Sequence, residues 1–214
     1  MAAPTPYLLS RRKRLLDLMI AAPALVVCAA LMPFVDAMIQ ASSRGPLFYS
    51  EERVGRGGRV FRIWKFRTMH SGYPYLKGNP GEPGVFAFGA FLRRTHLDEL
   101  PQAWNVFVGD MSIVGPRPWR AEHHAEFAAL YPWWSYRLNA VPGITGLAQI
   151  RPCADPGQHD REYVNTATLR GDLKILAATV LLAVKVVGGM VTRRRTSQIL
   201  GAPQIATRKE RPYG

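Results

Sequence analysis

Two adjacent carboxylates, Asp98 and Glu99, sit in the segment Arg93-Arg94-Thr95-His96-Leu97-Asp98-Glu99-Leu100-Pro101. Proline is tolerated in the first turn of a helix but not deep inside one, so Pro101 puts the pair near a helix N-terminus, with Asp98 as its cap. There the unpaired backbone N–H groups and the helix dipole hold a carboxylate ionised and attract phosphate. Neighbouring helical residues point about 100° apart, so the two groups suit different tasks. One can attack phosphorus while the other helps to hold Mg2+. An acidic pair at a helix start is also an ordinary cap, so the surroundings must decide.

Those surroundings are basic. In Gly115-Pro116-Arg117-Pro118 two prolines fix the backbone around an arginine whose guanidinium fork matches phosphate oxygens. Taken alone, this is equally a surface turn with a solvated arginine. Clustered with Lys65, Arg67, Arg93 and Arg94, however, Arg117 would line a pocket for a diphosphate. Histidines and cysteines offer no comparable pattern: His123-His124 reads as part of an exposed helix, and Cys28 and Cys153 form neither a disulfide framework nor a zinc site.

Several elements must position these groups. Residues 59–69 (RVFRIWKFRTM) alternate basic and apolar side chains, as a strand with one inward face does. Residues 71–84 are rich in Gly and Pro and read as a loop. Residues 91–108 read as helix broken near Asp98, and 121–138 as an aromatic-rich helix; Pro142-Gly143 and Gly146 mark turns. The expected fold is α/β mixed, mostly helical, with a small sheet.

Apolar segments flank this middle. Residues 15–39 follow the basic cluster Arg11-Arg12-Lys13-Arg14 and precede Arg44, Arg53, Arg56 and Arg59. Positively charged flanks stay cytoplasmic, so a segment basic on both sides is expected to enter and leave the membrane by one face. This predicts a re-entrant helix pair hinged at Pro23, where proline removes a helix hydrogen bond and kinks the axis. A single tilted spanning helix and a buried soluble helix are the competing readings. A second apolar run, 173–191, carries Lys174 and Lys185 about three turns apart on one face, with basic residues at both ends. It suits an amphipathic helix lying in the interface, its lysines reaching lipid headgroups, with a core helix as the alternative.

The composition agrees with a membrane-bound protein that meets anions. The chain has 214 residues, 48% hydrophobic, with a formal net charge of +13. Such a balance suits phosphates, nucleic acid or an anionic membrane. The apolar runs and the lack of nucleic-acid-binding motifs oppose nucleic acid. A membrane scaffold without catalysis is the remaining non-enzyme reading. The expected division is 1–43 for the basic N-terminus and re-entrant helix, 44–170 for a cytoplasmic catalytic domain, 171–195 for the interfacial helix and 196–214 for a polar tail.

KFRTM (65–69), FLRRTHLDELPQAWNV (91–106), GDMSIVGPRP (109–118) and VPGITGLAQI (141–150) closely resemble the bacterial sugar transferases, the compact monotopic phosphoglycosyl transferases. REYV (161–164) and DLKIL (172–176) resemble the C-terminal part of that family. The resemblance implies transfer of a sugar 1-phosphate from a UDP-sugar to polyprenyl (undecaprenyl) phosphate, with release of UMP. It implies Asp98 as nucleophile, Glu99 as its partner bound to Mg2+, and Lys65, Arg93 and Arg117 as phosphate contacts. It also implies Pro23 as the membrane hinge and a location on the cytoplasmic face of the inner membrane. Two positions depart from the family pattern. Ala22 stands before Pro23 where serine is common, and Arg151-Pro152-Cys153-Ala154-Asp155-Pro156 replaces a Gly-Arg turn.

Overall fold

The computed structural model describes residues 3–73, 82–151 and 157–191, with side chains described to residue 185. Cys153 with its neighbours 152–156, residues 74–81 of the 71–84 loop, and the 196–214 tail lie outside the described residues. Helix α1, Arg11–Ser42, starts with Ser10 as its cap, the hydroxyl accepting the Lys13 N–H at 3.2 Å. The helix continues through Pro23 and Pro33, so any change of direction at Pro23 is a kink within one helix rather than a loop between two. Its buried residues, Lys13, Asp17, Ala21, Cys28, Val35 and Ile39, recur every four or seven positions and form one stripe along its length. The opposite face exposes Leu15, Met19, Val26, Val27 and Phe34. Among the described residues, α1 is the helix long and apolar enough to cross a membrane.

The strand expected over 59–69 is β2, Val60–Phe66, paired antiparallel with β1, Phe48–Val54, in a hairpin that sets Val54 opposite Val60 and Phe48 opposite Phe66. The hairpin turn passes through Gly57 and Gly58 at φ 66° and 82°, a region open to glycine at little cost. Then come α2, Ala87–Thr95, a 3-10 turn over Leu97–Glu99, and α3, Gln102–Val108. The helical stretch thus breaks around Asp98. The capping role expected of Asp98 is not what forms, however. Pro101 occupies the cap position of α3, and Asp98 lies three residues upstream in the 3-10 turn, after His96 in the left-handed region at φ 56°.

Strand β3, Ser112–Val114, pairs parallel with β4, Gly143–Thr145. Between them, α4 spans Ala121–Leu130 and ends before Pro132, and a 3-10 turn covers Trp134–Asn139. The 121–138 stretch is therefore two elements, because proline cannot continue the helix. Short α5, Leu147–Ile150, and α6, Gln158–Thr166, lead to α7, Leu169–Val191, which exposes Leu173, Val180, Leu181 and Val184. Lys174 and Lys185 are exposed on it.

Two apolar clusters knit these elements together. One gathers Ala21 of α1, Phe61 and Ile63 of β2, Val106 of α3, Ile113 and Val114 of β3, and Tyr163, Val164 and Ile175. The other joins Cys28, Val35 and Ile39 of α1 to Phe66, Phe86 and Leu92. Beside them runs a buried polar node. Lys13 Nζ lies 2.7 Å from Asp172 and 3.5 Å from Asp17, and it donates to the Val114 carbonyl at 2.9 Å. Asp17 accepts from the Ser112 hydroxyl and the Ile113 N–H at 2.9 and 3.0 Å. The Tyr7 and Tyr163 hydroxyls each donate to Asp172 at 2.9 Å. Burial, with Asp172 adding to it, pushes both phenols up, so they act as neutral donors.

Removing one partner of a buried ion pair leaves an uncompensated charge. Lys13→Met is therefore expected to cost about 3–5 kcal/mol of stability. A chemical denaturation curve of the detergent-solubilised protein that matched wild type would contradict that expectation.

Candidate active site

Lys65 leaves β2 toward the turn that carries the two carboxylates, and its ammonium meets Glu99 Oε1 at 2.5 Å. The alignment of strand and turn is held from behind by Asn105 of α3, which is 1% exposed. Its carboxamide accepts the Trp64 N–H at 3.2 Å and donates to the Arg62 carbonyl at 2.6 Å, closing both hydrogen-bonding directions along that stretch of β2. Sequence reading did not single out Asn105. A polar amide in the apolar run WNVFV was the available signal.

The Lys65–Glu99 pair lies in an open cleft lined also by Arg53, Ile63, Gln102, Arg117, Pro118, Gly143, Ile144 and Gln149. Arg117 is exposed and supplies the positive far wall. That wall exists because β3 and β4 approach backbone to backbone. A Cβ on Gly143 would stand 2.1 Å from the Gly115 nitrogen, and one on Gly146 2.2 Å from the Gly115 oxygen. Gly115 donates to Thr145 O and Gly143 to Pro116 O, both at 2.8 Å. Only glycine permits this contact, which sets GPRP beside VPGITG.

Asp98 is buried, 8% exposed. Burial pushes its carboxyl up to about 6, with Glu99 adding to the rise and Lys65, His96 and Arg93 opposing it. The expectation that a helix N-terminus holds Asp98 ionised is thus overturned: loss of solvent dominates, and Lys65 is the chief counterweight. Glu99 behaves oppositely. Burial disfavours its charge, but Lys65 and Arg117 outweigh that and hold its carboxyl below the usual range. The pair is therefore split into an easily protonated Asp98 and a firmly ionised Glu99, a separation of roles read in environments rather than residue types.

The predicted cations do not all reach the cleft. Lys65 and Arg117 line it. Arg93 donates through Nε to the Thr68 hydroxyl at 2.9 Å and lies 3.5 Å from Glu82, acting on Asp98 through its charge. Arg67 is buried at the end of α1, bonded to the Ser43 hydroxyl at 2.9 Å and the Pro46 carbonyl at 2.6 Å, so it anchors the fold instead of lining a diphosphate pocket. Arg94 is exposed and outside the cleft lining. Arg53, read in sequence only as flanking charge, does line it.

For Mg2+, the donor set consists of Glu99 and the adjacent Asp98. Among the described residues, no group of three or more His, Cys, Asp or Glu side chains could enclose a metal. One or two hard carboxylates fit a magnesium ion whose remaining ligands come from phosphate and water. Asp110 lies 4.0 Å from Arg59 and does not line the cleft.

The bacterial sugar transferase family model matches residues 8–186, a span that includes the carboxylate turn, the glycine-rich far wall and the Lys13–Asp172 pair. The chain belongs to the bacterial sugar transferase family. It is 38% identical over 182 residues to a UDP-glucose:undecaprenyl-phosphate glucose-1-phosphate transferase of Caulobacter vibrioides, covering 79% of this chain and 68% of that protein. A transferase with the same name from Xanthomonas campestris is 37% identical over 190 residues, covering 82% of this chain and 39% of its own length. An exopolysaccharide production protein of Rhizobium leguminosarum is 33% identical over 186 residues, 79% of this chain and 93% of that protein. The chain thus spans about two-fifths of the length of the Xanthomonas relative and most of the length of the Rhizobium one.

Within this sugar transferase the raised Asp98 carboxyl has a thermodynamic consequence. A carboxyl whose folded value stands above its unfolded one contributes stability that is full below the unfolded value near 4 and lost as pH rises through about 6. At pH 7 the charge on Asp98 therefore costs the ligand-free fold on the order of 2–3 kcal/mol. Asp98→Asn is expected to raise the unfolding midpoint at pH 7 in metal-free buffer, with the gain vanishing toward pH 4. A midpoint that dropped at pH 7 would contradict this electrostatic account.

Proposed function

We propose that this protein transfers a sugar 1-phosphate from a UDP-sugar to polyprenyl phosphate, of which undecaprenyl phosphate is the bacterial form, and so begins assembly of a membrane glycoconjugate such as an exopolysaccharide. The observation that carries this reading is the buried Asp98 beside a Lys65-bound Glu99, at a cleft whose far wall is Arg117. The activities for which relatives matched over most of this chain are named supply the substrate class.

In the first step, a carboxylate oxygen of Asp98 attacks the β-phosphorus of the donor. The bond from that phosphorus to the bridging oxygen breaks, and UMP leaves with the electron pair. In the second step, a phosphate oxygen of the polyprenyl carrier attacks the same phosphorus and releases Asp98, giving a polyprenyl diphosphate sugar. Burial serves this chemistry, because a desolvated carboxylate is a stronger nucleophile than a hydrated one. Lys65, held against Glu99, and Arg117, opposite it, offset the charge of the diphosphate and orient it. When bound, Mg2+ would be held by Glu99 together with the donor's phosphates and would offset further negative charge. The charge of Arg93 favours the ionised form of Asp98.

The carrier is a lipid, so the cleft must sit at a membrane surface. The exposed apolar face of α1, with Trp104, Phe107 and Val108 of α3, suits immersion to that depth. Both ends of α1 are tied to the same catalytic body, through Lys13 to Asp172 at the start and through Ser43 to Arg67 at the end. A spanning helix would carry its ends about 30 Å apart on opposite sides of the bilayer, where one soluble body could not hold both. That favours a helix entering and leaving by one face, bent at Pro23, and the basic flanks favour the cytoplasmic face of the inner membrane. The exposed lysines and leucines of α7 suit an interfacial position.

Two measurements test this reading. Protein in nanodiscs with Mg2+ and undecaprenyl phosphate is expected to release UMP from one or more of a panel of UDP-sugars, and Asp98→Asn to release none. Release that survives Asp98→Asn would sink the covalent route. Single cysteines placed at Arg11 and Arg44 in a Cys28→Ala, Cys153→Ser background are both expected to react with an impermeant maleimide only from the cytoplasmic side. Labelling of either from the opposite side would establish a spanning helix.

A further inference from the structure

Every carbonyl from Pro116 to Trp119 is held from outside the segment, by β4, by the 3-10 turn after α4 and twice by β1. The Pro116 carbonyl accepts the Gly143 N–H at 2.8 Å, the Arg117 carbonyl accepts Arg137 Nη2, the Pro118 carbonyl accepts Arg53 Nη1 at 3.1 Å, and the Trp119 carbonyl accepts the Val54 N–H at 2.9 Å. The two prolines carry no N–H, so Arg117 owns the one backbone donor between Gly115 and Trp119. That N–H favours the charged form of Asp160, the residue to which Arg137 is itself paired.

Arg137, on the 3-10 turn after α4, and Asp160, in α6, are 3% exposed each. Arg137 Nη2 lies 2.7 Å from Asp160, and Nε donates to the same carboxylate at 2.9 Å. The guanidinium also stacks 4.8 Å from the Trp134 ring centroid and 5.9 Å from that of Trp119. A dry ion pair of this kind brings little net stability, because desolvation of both charges offsets their attraction. What it does supply is direction: a planar fork with fixed donors can satisfy a carboxylate and a neighbouring carbonyl at once, which a lysine ammonium does less well. Both groups are too buried to meet a substrate, and Arg117 is the exposed cleft residue they touch.

We propose that the Arg137–Asp160 pair is a positioning device for Arg117: it grips both polar groups of the Arg117 main chain and thereby aims the guanidinium at the donor's diphosphate. The pair acts only through Arg117 and is not itself catalytic. This proposal rests on the transferase reading for what the diphosphate belongs to.

The test is a double-mutant cycle on Arg137→Lys and Arg117→Ala, read as kcat/KM for UMP release and, without turnover, as the affinity for pyrophosphate by calorimetry. Misplacing a contact by about 1 Å costs on the order of 100-fold, so Arg137→Lys is expected to lose between about 10- and 100-fold in kcat/KM. In the Arg117→Ala background the same change is expected to lose less than about twofold, since residues acting as a unit are not additive. Asp160→Asn, which keeps the shape and an acceptor, is expected to give the same pattern and stands in should Arg137→Lys fail to fold. Equal losses in both backgrounds would make the pair purely structural and overturn the proposal. Coupling in pyrophosphate binding alongside no UMP release from any donor would uphold the positioning role and sink the transferase reading instead.

Discussion

The fold turns on the ion pair between Lys13 and Asp172, whose side chains are 6% and 0% exposed. They are 159 residues apart in sequence, at the start of the long apolar helix α1 and near the start of α7. Around them converge two tyrosine hydroxyls, the Asp17 carboxylate and the Val114 carbonyl, each with a partner. Such a node adds little to stability as a whole, yet removing any member strands a charge in a dry interior. The consequence is geometric: α1 cannot shift or tilt without moving β3, which runs directly into the GPRP segment. The placement of α1 and the position of the cleft arginine Arg117 are therefore coupled.

From β3 outward, the site is built by restraint on backbone rather than by contacts between catalytic side chains. Glycines 115, 143 and 146 let two loops touch, and Asn105 fixes β2 against α3. Several long cationic side chains, among them Lys13, Arg14, Arg53, Arg67 and Arg137, are used up wholly or partly in holding carbonyls. The large positive charge of the chain is thus divided. Part of it locks main chain in place, part is exposed, and among the described residues Lys65, Arg53 and Arg117 are the cations that line the cleft.

The carboxylate turn shows why that restraint matters. Asp98 and Glu99 are neighbours, and a single lysine serves both. Lys65 contacts Glu99 directly and reaches Asp98 only through its field, so Glu99 is held ionised while burial governs Asp98. A shift of β2 by one residue would replace Lys65 at this point by the aromatic Trp64 or Phe66. The register set by the β1–β2 hairpin and by Asn105 is thus part of the electrostatics of the site.

Sequence by itself determined the features carried by local pattern. Alternation marked β2, the apolar runs marked α1 and α7, and proline with its neighbours marked the break at Asp98 and the rigid turn at Arg117. The family motifs marked which residues belong together. What the tertiary structure decided was the function of each charge. Asp98 looked like a helix cap, because Pro101 fits a first turn, but chain direction at His96 withdrew it into a buried 3-10 turn. Arg67, two positions from Lys65, looked like a phosphate ligand and instead closes the end of α1. The Lys13–Asp172 and Arg137–Asp160 pairs had no local signature. Periodicity reports which face of an element turns inward, whereas the partner of a buried charge is chosen by residues brought together across the whole chain.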